Sequence, residues 1–266
     1  MNLFLLNGVR YTYLNNSDLP AFRLGEINLN IDKQEMISIL GPNGSGKSTL
    51  LKIISGVLVP QFGEVLFMGN SITKYKRKEI AKHIGFVPAF STSIYPFSVY
   101  EIVMMGRTPY LNFTGFEKKE DHEIVAEALN TVGIYELRNK GINEISGGEA
   151  QRAFIARALA QKPSVILLDE PTAHLDLKHQ ISVFKLLKEL NENQDITIVI
   201  ISHDLNLAGS FCNRAILMRN GKVVRDGKTI DMLTQENIQD VFEVSSEIST
   251  EIINGEAKVH VHLRTY

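Results

Sequence analysis

GPNGSGKST, residues 41–49, follows the apolar run MISIL (36–40) and opens into TLLKIISG (49–56). An apolar strand, a loop with three glycines and a helix entered through Lys-Ser-Thr make the G-x-x-x-x-G-K-[ST] pattern in the context that gives it meaning. Gly41, Gly44 and Gly46 allow the loop, with Pro42, Asn43 and Ser45 between them, to turn the N–H groups of its non-proline residues inward on phosphate oxygens. Lys47 adds a point charge for the β and γ oxygens of a nucleotide, and Ser48, with Thr49 beside it, offers a hydroxyl to Mg²⁺.

Outward from this loop the rhythm repeats. SVILLDE (164–170) precedes HQISVFKLLKELNE (179–192), and ITIVIISH (196–203) precedes DLNLAGSFC (204–212). Short β-branched runs alternating with longer helical periods predict an α/β fold with buried parallel strands. Between 88 and 160 the rhythm breaks into SVYEIVMMG (98–106), KKEDHEIVAEALNTVG (118–133) and GEAQRAFIARALAQ (148–161), so an inserted helical subdomain is expected there. Residues 3–35 alternate in short pieces broken by Asn, Gly, Asp and Pro, which suits antiparallel strands beside the parallel core. The tail holds RNGKVVRDG (219–227), an expected helix near 236–242, and STEIINGEAKVHVHLR (249–264), where Asn254-Gly255 signals a hairpin. His260 and His262 share one face of the last strand and are read as solvent-facing, without a function.

At 266 residues, 44% hydrophobic and 22% charged, the chain can bury a sizeable core. Its 28 basic against 30 acidic side chains leave no global basic field, so no nucleic-acid partner is expected. Cys212, the single cysteine, excludes an internal disulfide and reads as packing. No apolar run approaches the roughly 18 residues of a membrane span. The first thirty residues are interrupted by Asn7, Arg10, Asn15, Asn16, Asp18 and Arg23 rather than forming a signal peptide. The chain is expected in the cytosol, with any membrane link made through partners.

Three further stretches carry chemistry. Asp169 and Glu170 end an apolar strand, where the carboxyl edge of a parallel sheet usually meets ligands. Beside a phosphate loop, Asp169 is expected to hold the Mg²⁺ shell and Glu170 to orient or deprotonate the attacking water. His203 ends ITIVIISH and should reach the same sheet edge, to contact the γ-phosphate and that water. ISGGEAQR (145–152) is a second glycine-opened helix start: Ser146 and Glu149 form a capping box, while Gly147 and Gly148 bare first-turn N–H groups to an anion.

In this order the pieces resemble the ATP-binding subunits of ABC transporters, over nearly the whole chain. GPNGSGKST looks like the Walker A loop, ISGGE like the LSGGQ signature, VILLDE like Walker B, AHLD (173–176) like the D-loop and His203 like the switch histidine. The resemblance implies a single ABC ATPase domain. Residues 1–87 would form the antiparallel β subdomain and the first part of a RecA-like P-loop core, 88–160 the helical subdomain, 161–224 the rest of the core and 225–266 a helix and hairpin extension. It implies ATP and Mg²⁺ as cofactors, with Tyr13 stacking on adenine (Tyr11 being the alternative) and Asp176 of the D-loop at the nucleotide. It also implies a head-to-tail dimer in which Ser146, Gly147, Gly148 and Glu149 of one copy cover the γ-phosphate held by the other, on the cytoplasmic face of a membrane with two permease subunits and, indirectly, a substrate-binding protein.

One position departs from the family. After IGFVP it usually has a glutamine that touches Mg²⁺ and water, whereas this chain has Ala89, so water, Ser91 or Thr92 is expected to substitute. SVYEIVMMGRTPYL (98–111) and MLTQENIQDVF (232–242) look most like importers of iron complexes, haem or cobalamin. The alternatives are another cargo, such as a different metal or an oxyanion, or an ABC ATPase outside transport acting on DNA or ribosomes. A P-loop kinase would leave ISGGE and His203 unexplained.

Overall fold

Met36–Leu40 and Thr197–Ile201 are buried at every position, which is the signature of strands covered on both faces. In the computed structural model, which describes residues 2–14, 20–89, 97–112, 115–253 and 255–264, they are the parallel centre of a mixed sheet. The chain divides into two compact units, Met1–Tyr75 with Thr197–Tyr266, and Lys76–Ile196.

In the first unit Arg214–Arg219 pairs parallel to Met36–Leu40 on the side away from Thr197–Ile201, and Lys222–Lys228 adds antiparallel to Arg214–Arg219. A second, antiparallel sheet holds Asn2–Leu14 between Pro20–Asp32 and Phe62–Phe67, with the short strand Asn70–Ser71 beyond. This is the antiparallel β subdomain anticipated from residues 3–35. The strand Phe62–Phe67 was not anticipated: its first three residues are exposed, and FGEVLF carries a glycine and a glutamate where an alternating pattern would show itself.

The tail folds back onto this unit. The helix Gln235–Phe242 supplies Ile238 and Val241, and the hairpin of Ser246–Ile253 with Glu256–Leu263 supplies Val259 and Val261, to a buried cluster with Leu40, Leu217 and Leu233. The expected hairpin is present, although Asn254 of its turn lies outside the described residues. On the strand's other face His260 Nε2 lies 3.6 Å from Glu251 and His262 Nε2 2.9 Å from the Ser249 hydroxyl.

In the second unit Ile84–Val87 and Val165–Asp169 pair in parallel, with Val87 opposite Leu168. The described residues between 97 and 160 hold helices and a single isolated bridge, Ser98 to Gly141. The helix in SVYEIVMMG does not stop at Gly106. It spans Val99–Met104 and continues as a 3₁₀ helix over Met105–Tyr110. Gly106 is there for space, since a Cβ would overlap the carbonyl oxygen of Arg157 on the helix Gly147–Leu159. Next to it Arg107, 3% exposed, donates to Asp121 at 2.8 Å and to the Ala160 carbonyl at 2.7 Å, tying this segment to the helix Lys119–Thr131.

Candidate active site

Gly46 caps the helix Lys47–Ile54 from φ 101, a backbone region closed to most side chains. A Cβ there would also come within 2.9 Å of Phe22 and Leu24. Upstream, the Ser45 carbonyl accepts from Gly221 N at 3.1 Å, which pins the loop to the sheet. Gly44 faces open space, and Pro42 and Asn43 lie between it and the strand. Lys47, 5% exposed, turns its ammonium back to donate to the carbonyls of Gly41 (2.8 Å) and Pro42 (3.0 Å). Ser45 Oγ is buried with no hydrogen-bond partner. A buried cation held in part by neutral carbonyls, beside an orphaned hydroxyl, suits an anionic ligand. Ser48 is half-buried and Thr49 buried in the first helical turn.

Tyr13 reaches this loop through Phe22. The two are opposite each other across the strand pair, their ring centroids are 6.4 Å apart, and Phe22 is the ring against Gly46. Tyr11 makes an edge contact with Tyr13 at 4.9 Å. Phe22 is a residue that sequence reasoning missed, because only the strand register puts it at the loop. On the same sheet Ile39 is opposite Ile201 in parallel, so Gly41 and His203, each two residues on, leave from one edge. His203 is exposed. Its turn is fixed by Asp204, which donates its amide to Ser202 Oγ and accepts from Asn206 N and Leu207 N at 2.8 and 2.9 Å.

The acidic pair is in the second unit. Asp169 is the last residue of Val165–Asp169, and Glu170, half-buried, has φ 48. A left-handed backbone costs a non-glycine residue roughly 1–2 kcal/mol, so the turn that fixes Glu170 must hold it firmly. Ala173 N donates to the Glu170 carbonyl at 3.1 Å, Leu175 N to the Thr172 carbonyl at 3.2 Å, and Gln180 Nε2 to the Leu175 carbonyl at 3.0 Å. That carries the chain to Asp176, the N-cap of the helix Leu177–Gln194. Because Val87 is opposite Leu168, Ala89 leaves the edge at the level of Glu170. Ser91 and Thr92 lie outside the described residues.

ISGGEAQR starts the helix Gly147–Leu159 as anticipated, with a complete capping box. The Glu149 carboxylate accepts from Ser146 N at 2.8 Å and from Ser146 Oγ at 2.7 Å. The Ser146 hydroxyl, and then its amide, hold the Glu149 pKa below the usual carboxylate range. Ser146 and Gly147 are exposed, whereas Gly148 is buried.

A phosphate loop at the edge of a parallel strand, followed by strand-terminal acids, defines a P-loop nucleotide hydrolase. Comparison with known proteins makes the class specific. The family model described as "ABC transporter" matches residues 24–173. The iron(3+)-hydroxamate import ATP-binding protein FhuC of Bacillus subtilis (strain 168) is 37% identical over 226 residues, 85% of this chain and 84% of that protein. Among solved structures, an inward-facing ABC transporter described as of metal-chelate type aligns with TM-score 0.86 at 29% identity, covering 100% of this chain and 98% of the other. The ATP-binding cassette MJ0796, a dimer in a post-hydrolysis state with ADP and Pi, aligns with TM-score 0.71 at 35% identity, covering 85% and 98%. The chain belongs to the ABC transporter family, as one of its ATP-binding subunits. It is an ATPase whose hydrolysis drives transport. Among the described residues no helix is long and apolar enough to cross a membrane.

Proposed function

We propose that this chain energises import of an iron complex, haem or cobalamin, as a homodimer at the cytoplasmic face of the membrane. It would work with two permease subunits, fed by a substrate-binding protein, and without nucleic acid. The observation that carries the reading is the signature helix: its capping box is complete within the chain, yet Ser146 and Gly147 stay exposed at its positive end, as a surface for another copy's γ-phosphate requires. The similarity to an iron(3+)-hydroxamate import protein supports the cargo class.

In this reading residues 41–49 and Lys47 hold the phosphates, and Tyr13 stacks on adenine. Ser48 and Asp169, a hydroxyl and a carboxylate, are the oxygen donors that suit Mg²⁺, which would neutralise charge on the phosphates when bound. Glu170 orients or deprotonates the attacking water, His203 contacts the γ-phosphate, and Asp176 with Ser146–Glu149 completes the partner's site. Residues 1–87, 88–160, 161–224 and 225–266 act as the β and first core part, the helical part, the second core part and the extension. The test is the ATPase rate against protein concentration, with Glu170→Gln as the inactive control. A rate rising with the square of concentration supports the shared site. A linear rate from chains shown to be monomeric by mass at the same dilution overturns it. Uptake of labelled ferric hydroxamate and of cobalamin by cells lacking the chain tests the cargo class, and unchanged uptake of both counts against it.

A further inference from the structure

The two signature glycines have different surroundings. Gly147 is exposed, and a Cβ on it would meet only Leu175 Cδ2, at 3.4 Å. Gly148 is buried, and a Cβ on it would overlap Cδ2 and Cγ of the His179 ring. The same imidazole is fixed from its other side. Asp176 Oδ1 accepts from His179 N at 2.9 Å and lies 2.8 Å from His179 Nδ1, so one carboxylate oxygen holds both the backbone and the ring. His179 thus stands between two segments that are 25 to 30 residues apart in sequence: the D-loop carboxylate and the first turn of the signature helix.

We infer that His179 is a positioning residue for the ATPase site: by filling the space at Gly148 while holding Asp176, it fixes the D-loop and the signature helix start relative to each other so that both meet the partner's nucleotide together. The inference rests on the shared-site reading above. Ring contact alone would be served by any flat side chain, and the Asp176 bond alone by any donor; the imidazole does both. Its neighbour Gln180 supports it by holding the Leu175 carbonyl just ahead of Asp176. The helical pattern over 179–192 treats 179 as an ordinary opening position, so the role is not visible from sequence spacing.

Because the inferred effect falls on the other copy's nucleotide, mixing purified full-length variants tests it. His179→Ala is expected to lower kcat about tenfold, less than the hundredfold that misplacement by about an ångström can cost, with a smaller effect on KM for ATP because the phosphate loops are intact and no charge is removed from the signature surface. Adding Lys47→Ala chains, which keep His179 but lack the phosphate lysine, should raise the rate above the sum of the two separate rates. One of the two sites in each mixed dimer then has an intact loop and an intact signature. Ser146→Arg mixed with Lys47→Ala is the control. A rise in both mixtures supports the role. A rise in the control alone, or a His179→Ala chain with wild-type kcat, overturns the inference and leaves the shared site standing. No rise in either mixture overturns the shared site and the inference with it.

Discussion

Lys47 Nζ lies 2.8 Å from the carbonyl oxygen of Gly41, six residues before it, so the loop's own backbone holds the charge that ATP would take up. Exchange of carbonyl for phosphate then adds the attraction of two opposite charges to a bond that the lysine's own charge already assists. Lys47→Ala is expected to weaken ATP binding about tenfold to a hundredfold, in line with loss of about 1.5–3 kcal/mol for a hydrogen bond to a charged group. The check is thermal: saturating ATP should raise Tm of the wild-type chain and raise that of Lys47→Ala by clearly less at the same concentration.

Glu149→Gln separates capping from charge. Glutamine keeps an acceptor for the Ser146 amide, so the helix start should survive with a loss of at most about 1 kcal/mol. What disappears is a carboxylate that the Ser146 hydroxyl and amide hold ionised, close to a surface read as facing phosphate. KM for ATP is therefore expected to fall a few-fold with Tm within a few degrees of wild type. Steady-state kinetics at low ionic strength, where screening is least, would show it most clearly.

Asp121 gives a pH dependence with a defined sign. Burial pushes its pKa up, but the Lys118 amide and the Arg107 guanidinium outweigh this and leave it below the ordinary value. A lowered folded pKa contributes stability that is present above the unfolded value, about 3.9, and is lost as pH falls through the folded one. Asp121→Asn leaves Arg107 buried without its counter-charge, which costs about 3–5 kcal/mol at pH 7. The difference between the two proteins in urea unfolding should shrink steadily below about pH 4.

Cys212 should be inert in the folded chain. It is 5% exposed, and burial pushes its thiol up to about 12, so almost no thiolate exists at pH 8, whereas a free cysteine with a pKa of about 8.5 is partly ionised there. Alkylation by iodoacetamide is expected to be slow until urea unfolds the chain and then to become fast. Rapid labelling of the native protein would contradict this.

What could be read from the residues and what could not divides along a physical line. The phosphate loop, the strands ending at Asp169 and near His203, and the signature capping box depend on neighbours within a few positions, so spacing alone reveals them. Phe22 is different: it meets the loop only because the register of Asn2–Leu14 on Pro20–Asp32 puts it opposite Tyr13. His179 is different in the same way, since its ring position is decided by Gly148 on another helix. Gly106 is a similar case. A glycine after a helical run reads locally as a stop, but here the small residue answers to the close approach of the Arg157 carbonyl.

Ala89 offers the most direct test of the catalytic edge. Parallel pairing of Val87 with Leu168 brings position 89 out at the level of Glu170, where the family usually carries a glutamine touching Mg²⁺ and water. A methyl group can neither donate nor accept a hydrogen bond, so on the proposed reading those contacts would fall to water, Ser91 or Thr92. Ala89→Gln would place a carbonyl oxygen and an amide at the same edge without altering the strand before it. If the missing contact limits hydrolysis, kcat at saturating Mg·ATP should rise several-fold, and the rise should disappear when Glu170→Gln is added, because the carboxylate read as orienting or deprotonating the water is then gone. An unchanged kcat in Ala89→Gln, with the chain folded to the wild-type Tm, would mean that the methyl is no handicap and that the edge is complete without the amide.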